Sequence, residues 1–146
     1  MAEKFKLQAV LKYRKTLEEQ AQQKLAELLS VDSALRVKQE KTQTQLEILS
    51  TQVLEKNQQG LSILELQLYE DQIGHHRQQQ EYLQKQRVEL DSLINERRHD
   101  LLVAARERKI IEKLKEKQLA EYLSKLDRKE RIMLDEISLR QNGGIE

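Results

Sequence analysis

The sequence predicts an all-α protein, a long antiparallel two-helix coiled-coil hairpin with an overhanging C-terminal helix. The 146 residues include no proline and only four glycines, against about seven and ten in an average chain of this length. Strong helix formers (Leu, Glu, Lys, Gln, Arg and Ala) fill almost every position. One helix-stop signal followed by one helix-start signal separates two stretches with heptad spacing. Together these observations exclude sandwiches and barrels, which need many turns.

The predicted turn, about residues 57–62, depends on Gly60, Ser62 and Glu65. Glycine has no Cβ and therefore adopts the left-handed conformation that ends a helix. Ser62 and Glu65 have the spacing of a capping box, in which the hydroxyl accepts from the amide three residues on and the carboxylate accepts from the serine amide. A helix end followed directly by a helix start predicts a hairpin.

Helix one is predicted over about residues 4–56, with apolar residues at alternating spacings of three and four, typical of coiled-coil core positions. The two classes of core positions are Leu7, Arg14, Ala21, Leu28, Leu35, Thr42 and Leu49, and Leu11, Glu18, Leu25, Asp32, Gln39, Leu46 and Val53. Val10, Leu17 and Val31 are expected to widen the core. Polar residues at core positions usually set the register at a cost in stability.

Helix two is predicted over about residues 63–140, with a frayed tail at 141–146 after the glycines that follow Asn142. Its core positions are Leu66, Tyr69, Ile73, His76, Leu83, Leu90, Ile94, Leu101, Ala104 and Ile111. Near Leu114 the apolar spacing slips, which relaxes a supercoil locally. The apolar stripe continues as Leu119, Leu123, Leu126, Met133 and Ile137.

The two predicted helices differ in length, at roughly 80 and 115 Å. Pairing outward from Gly60 places residue i opposite roughly residue 120 − i in such a hairpin. Residues 118–140, called the overhang below, then have no partner in their own chain. An exposed apolar stripe of this length predicts a contact surface, either for another protein or for a dimer that forms through the same stripe.

Composition excludes several partners. The net charge of +1 gives no reason to expect nucleic acid or a membrane surface, and scarce aromatic residues argue against base stacking. The absence of cysteine excludes disulfides and fits a reducing compartment. Residues 1–20 lack the apolar segment of a secretory signal, and the longest apolar run, 101–105, is far shorter than the ~20 residues that cross a bilayer. We expect a soluble protein without membrane insertion.

No catalytic or cofactor site is indicated. His75 and His76 are adjacent, so on a helix they point about 100° apart and cannot bind one metal ion together, and His99 stands alone. Neither GxxxxGK[ST] nor GxGxxG occurs. We therefore expect no enzyme activity, cofactor or metal.

Charge is distributed unevenly along helix two. Residues 60–96 carry seven acids and three bases, whereas residues 97–117 carry eight bases and four acids. The turn end is therefore acidic and the open end basic. Lys109, Lys113 and Lys117, called the basic strip below, recur at i, i+4 spacing. They form either a solvated face among neighbouring glutamates or a strip that contacts an acidic protein surface.

Several stretches together resemble the flagellar export protein family FliJ. The stretches are residues 5–14, 18–26, 106–117 and 135–137, and Gly60 followed by Tyr69 and Ile73. The resemblance covers essentially the whole chain. It implies a component of the flagellar type III export apparatus, cytoplasmic and peripheral at the cytoplasmic face of the basal body. It further implies a stalk, similar to that of rotary ATPases, that sits in the pore of the hexameric export ATPase FliI and promotes ring assembly. Contacts with the export gate protein FlhA and with empty export chaperones are also implied.

Two sets of binding residues follow. The ATPase is expected to contact the basic strip and the overhang, at Lys109, Lys113, Lys117, Leu119, Tyr122, Leu123, Leu126, Met133 and Ile137. The resemblance places the gate contact at Gln72, His76, Gln79 and Leu83, near Tyr69 and Ile73. Gln72 and Gln79 depart from the larger apolar or aromatic residues of the family. Tyr69 and Ile73 also fit positions in the core between the two helices.

Two other readings stay open. The first is a structural parallel dimer, a scaffold unrelated to export, with one helix continuous through Gly60. A helical glycine costs only ~1 kcal/mol relative to alanine. The second is a basic nucleic-acid binder, which the balanced charge disfavours.

Overall fold

The computed structural model describes residues 6–143, which form two helices, α1 (Gln8–Gln59) and α2 (Ile63–Gly143). No strand occurs in this part of the chain. The predicted all-α two-helix hairpin is confirmed. The predicted start of helix one near Lys4 lies outside the described residues, as do residues 144–146 of the predicted tail. Residues 141–143 are helical.

The turn at Gly60 matches its prediction in backbone conformation. Gly60 has a φ of 95°, in the left-handed region, so one helix continuous through Gly60 is wrong. The Glu65 amide donates to the Ser62 hydroxyl at 3.2 Å, which satisfies one amide of the first turn of α2. The predicted reciprocal bond from the Ser62 amide to the Glu65 carboxylate is not formed. Helix α1 extends past the predicted end at Lys56 to Gln59, because no residue before Gly60 interrupts it.

Replacing Gly60 with alanine is expected to destabilise the hairpin by about 1–2 kcal/mol, because a Cβ is strained at this φ. No atom lies within 4 Å of the added Cβ, so only the backbone conformation opposes the change. Gly74→Ala is the matched control, since Gly74 is exposed within α2 with open space around it. There alanine should stabilise by about 0.5–1 kcal/mol. Urea unfolding measures both, and equal responses of the two variants would contradict the turn assignment.

The chain divides into two compact units. Of the described residues, the turn unit contains 21–101, and the open unit contains 6–20 and 102–143. In the turn unit the core is a cluster of Leu35, Leu83, Leu90 and Ile94, with Leu25 and Leu28 partly buried against it. In the open unit Leu11 is fully buried, at 2% exposure.

The register within each unit agrees with the predicted pairing. In the turn unit Asp32 contacts Arg87 and Gln43 contacts Gln80. In the open unit Arg14 contacts Glu107. Each partner lies within about one helical turn of the position expected from pairing residue i with roughly 120 − i. Except for Leu7, all predicted core positions of α1 are buried or half-buried.

Some predicted core residues lie elsewhere. Val10 and Val31 are exposed, so the expectation that they widen the core is wrong, although Leu17 is half-buried. Val10 and Val31 each precede a core position by one residue, and one residue rotates a side chain by about 100° around the helix. In α2, Leu66 is exposed, and the remaining predicted core positions up to Ile111 are buried or half-buried.

The slip in α2 is a change of face. Continuing the core spacing from Ile111 leads to Gln118 and Tyr122, and both are half-buried. Leu119 and Leu123, one residue further along, are exposed. The apolar stripe therefore leaves the core between the helices here and continues on the free surface of α2.

Candidate functional site

The overhang presents an apolar stripe to solvent. Every residue from 123 to 143 is exposed, including Leu126, Met133 and Ile137. Together with Leu119 and Leu123 they recur at spacings of three, four and seven residues, which places them on one face of a helix. In the open unit the described part of α1 and its preceding turn begins at Lys6, which the pairing of residue i with 120 − i places opposite about residue 114. The stripe therefore has no partner among residues 6–143.

The basic strip is also accessible. Lys109, Lys113 and Lys117 are exposed. Among the described carboxylates, none lies within 4.0 Å of their ammonium groups. Of the glutamates that neighbour the strip, Glu107 and Glu112 form ion pairs with Arg14 and Arg108. Exposed lysines without a paired carboxylate fit both a solvated face and a strip that contacts a partner.

Ion pairs hold the two helical segments of the open unit together. Arg14 bonds Glu107 at 2.5 Å. The Arg108 guanidinium donates to Glu18 and, at 2.7 Å, to Glu112. These hydrogen bonds, first to Glu18 and then to Glu112, raise the pKa of Arg108 above its ordinary value. Arg108 is therefore a permanently charged link between the helices and is not free to bind a partner.

The residues expected to contact the export gate do not form one exposed face. Leu83 belongs to the buried cluster of the turn unit. Tyr69, Ile73 and His76 are half-buried, as expected of core positions, and the Nδ1 atom of His76 is buried with no hydrogen-bond partner. The two glutamines, Gln72 and Gln79, are exposed.

Tyr69 is further engaged by α1. The Lys56 ammonium lies 5.1 Å from the centre of the Tyr69 ring, a cation–π distance. Interaction with the Tyr69 hydroxyl raises the pKa of Lys56 above its ordinary value. Lys56 therefore engages one face of this aromatic ring within the hairpin.

Sequence reasoning missed a polar layer in the turn unit. Asp32, 7% exposed, accepts from Arg87 at 3.3 Å and pairs with Arg36 at 3.4 Å. Arg87 also donates to Gln39 at 2.8 Å, and Gln39 donates to Gln84 at 3.1 Å. Heptad spacing could have identified this polar layer, because Arg87 falls at a core position between Leu83 and Leu90. The prediction followed only apolar residues and therefore passed over it.

The amino-acid sequence matches a known protein family. A sequence model of the flagellar FliJ protein family matches residues 3–143. The chain belongs to the FliJ family. This match confirms the resemblance and supports a component of the flagellar export apparatus over a scaffold unrelated to export. Comparisons with curated proteins and with solved structures gave no significant match.

Two further findings concern residues 6–143 of this FliJ-family protein. Neither of its helices combines the length and apolar character needed to cross a bilayer. No group of three or more His, Cys, Asp or Glu side chains is arranged to hold a metal ion there. Among the accessible features of residues 6–143 are the apolar stripe, the basic strip and the two exposed glutamines, all of which suit protein contacts.

Proposed function

We propose that this protein is a stalk-like adaptor that acts by binding and not by catalysis. Membership of the FliJ family makes it a component of the flagellar type III export apparatus. In the proposal, the open unit inserts into the hexameric export ATPase FliI and promotes assembly of the ring. The protein also links the ATPase to the gate protein FlhA and to export chaperones, at the cytoplasmic face of the basal body.

The exposed stripe of the overhang is the observation that carries the proposal. A single helix of this length is only marginally stable in water, because helix nucleation is costly and packing supplies most of the stability. Covering the stripe would add about 1.5–3 kcal/mol for each fully buried leucine or isoleucine. A lone helix is about 10–12 Å across with its side chains, so it suits a narrow pore whose apolar wall completes the missing contacts.

The basic strip supports the same orientation. Lys109, Lys113 and Lys117 have no ion-pair partner among the described carboxylates, so their charge is available to a partner. Exposed charges of one sign speed association with a surface of the opposite sign and help select the correct partner. We therefore assign the open unit to the ATPase, with an acidic pore surface facing the strip.

The gate contact is proposed at the exposed side of the turn unit. Gln72 and Gln79 lie seven residues apart and share a face of α2. Tyr69, which is half-buried, lies about one turn before Gln72. Leu83 is omitted from this contact because reaching it requires opening the core cluster.

The proposal is tested by the double variant Leu119→Asp with Leu126→Asp. We expect it to abolish stimulation of ATPase activity in a reconstituted assay with FliI, because each aspartate places a charge in an apolar contact, which costs several kcal/mol when unpaired. Both residues are exposed, so circular dichroism should show unchanged helix content.

The control is Ser124→Asp with Ser138→Asp, which adds the same charge on another face of the overhang. It should stimulate the ATPase like the wild type. Full stimulation by the Leu119/Leu126 variant would reject insertion through the stripe. Sedimentation of the wild type and both variants tests the remaining alternative, dimerisation through the stripe. If the wild type is a dimer, and the Leu119/Leu126 variant is a monomer that still stimulates the ATPase fully, the stripe is assigned to dimerisation.

A further inference from the structure

The open unit has two unlike sides, each marked by an ion pair between its helices. Arg14 of α1 bonds Glu107 of α2 on one side. Lys15, the next residue of α1, points about 100° away from Arg14, and its ammonium approaches Glu112 to 4.0 Å on the other side. On a helix, residues three or four positions apart are neighbours on one face. The neighbours of each pair therefore show what that side presents to solvent.

The side marked by Arg14 and Glu107 is apolar. Val10 and Leu17 flank Arg14 at spacings of four and three, and the adjacent Tyr13 is exposed. On α2, Val103 lies four residues before Glu107 and Ile110 lies three residues after it, and both are exposed. Leu114, one turn after Ile110, is also exposed. We call the set Val10, Tyr13, Leu17, Val103, Ile110 and Leu114 the apolar side.

The opposite side is charged. On α1, Lys12 and Glu19 lie three and four residues from Lys15. On α2, the residues three or four positions from Glu112 include Arg108, Lys109 and Glu116. The contrast therefore indicates that the apolar side has a partner, since exposed contiguous apolar surface usually marks a contact.

We propose that the apolar side binds an amphipathic helix of a partner protein, one whose apolar face is flanked by acidic residues. Two adjacent helices form a groove, and a third helix can lay its apolar face into such a groove. This surface does not include the apolar stripe of the overhang, but it shares Lys117 with the basic strip. The partner helix and the ATPase are therefore proposed as separate contacts of the open unit, and the inference holds whether or not the contact with the ATPase forms.

Charge at the edges of the apolar side identifies the partner as acidic. Lys6 lies four residues before Val10, Lys117 lies three residues after Leu114, and Arg106 precedes Glu107. Within residues 6–143 no carboxylate lies within 4.0 Å of these three cationic groups. The Glu107 carboxylate is already occupied by Arg14. A second copy of this chain fits poorly, because it would bring the same uncompensated cations together.

Two designed peptides test the charge requirement. Both have 18 residues, about 27 Å of helix, with leucines at heptad positions a and d. One carries glutamates at the flanking positions and the other carries lysines. Fluorescence anisotropy of each labelled peptide, titrated with the full chain, should show saturable binding of the acidic peptide at least about tenfold tighter than the basic one.

Two aspartate variants locate the site. Ile110→Asp should weaken binding of the acidic peptide by about tenfold or more. Leu102→Asp should leave binding unchanged, because Leu102 lies two turns before Lys109 on the charged side. The two residues are matched in exposure, at 58% and 49%, so neither change should disturb the fold, and circular dichroism checks this.

Three results would overturn the proposal: equal binding of the two peptides, equal weakening by the two variants, or no saturable binding of the acidic peptide. If sedimentation shows that the wild type is a dimer and that the Ile110→Asp variant is a monomer, the partner of the apolar side is a second copy of this chain, and the proposal is overturned. The Leu119→Asp, Leu126→Asp variant should keep binding the acidic peptide, so failure of the ATPase proposal and failure of this one are distinguishable.

Discussion

Replacing Ile94 with alanine should lower the free energy of unfolding by about 2–3 kcal/mol. Ile94 is 4% exposed and packs in the cluster with Leu35, Leu83 and Leu90. Removing large aliphatic side chains from cores costs about 2–5 kcal/mol, the higher values where a cavity persists. A core between only two helices is shallow, so its walls can close partly around the gap, which places Ile94 toward the lower end.

Val88→Ala is the matched control for this change. Val88 lies on the same helix and is 59% exposed, so its truncation should shift the unfolding free energy by less than about 0.5 kcal/mol. Urea unfolding followed by circular dichroism at 222 nm measures both variants. A loss of the same size at Val88 and Ile94 would mean that the cluster is not the core of the turn unit.

The second large effect is expected at the ion pair across the helices. Arg87→Ala leaves the buried Asp32 carboxylate without its partner on α2. Breaking a buried ion pair from one side costs about 3–5 kcal/mol, because a charge stays buried and uncompensated. Arg36 remains 3.4 Å from Asp32 and compensates in part, so we expect a loss of about 2–3 kcal/mol.

Two further variants separate this explanation from a simple loss of packing. Arg36→Ala removes the exposed partner of the same carboxylate, and exposed pairs contribute at most about 1 kcal/mol. Asp32→Leu combined with Arg87→Leu replaces both charges with apolar groups, which is often neutral or stabilising. The unfolding free energies of the wild type and of these three variants are compared directly, and adding Asp32→Leu and Arg87→Leu as single variants completes a double-mutant cycle for the pair. If the double variant loses as much stability as Arg87→Ala, the buried-charge explanation is wrong.

The turn could be predicted because its signals are local. Gly60 lacks a Cβ, and Ser62 lies three residues before the amide that its hydroxyl accepts from. Neither feature depends on the rest of the chain. The core positions of α1 could be predicted for a similar reason, since periodicity along one helix determines the direction of each side chain around its axis.

The polar layer could not be predicted in the same way. When only apolar residues are counted along one helix, the pattern of core positions is interrupted at Asp32, Gln39 and Arg87. Their role appears when the second helix is present, because Arg87 then lies opposite Asp32 and within reach of Gln39. Leu83 shows that spacing and resemblance can disagree, as spacing along helix two placed it in the core, the resemblance placed it in a binding face, and packing confirms the core position.

The sequence by itself determined the helical class, the reversal at Gly60, the approximate register and membership of the FliJ family. Only the tertiary structure decided which charges neutralise each other and which sides of the open unit stay free. Spacing along a helix assigns each residue an angle, but the side chain that it meets belongs to the other helix. Glu107 and Glu112 illustrate this, because their pairing with Arg14 and Arg108 leaves the basic strip uncompensated and separates an apolar side from a charged one.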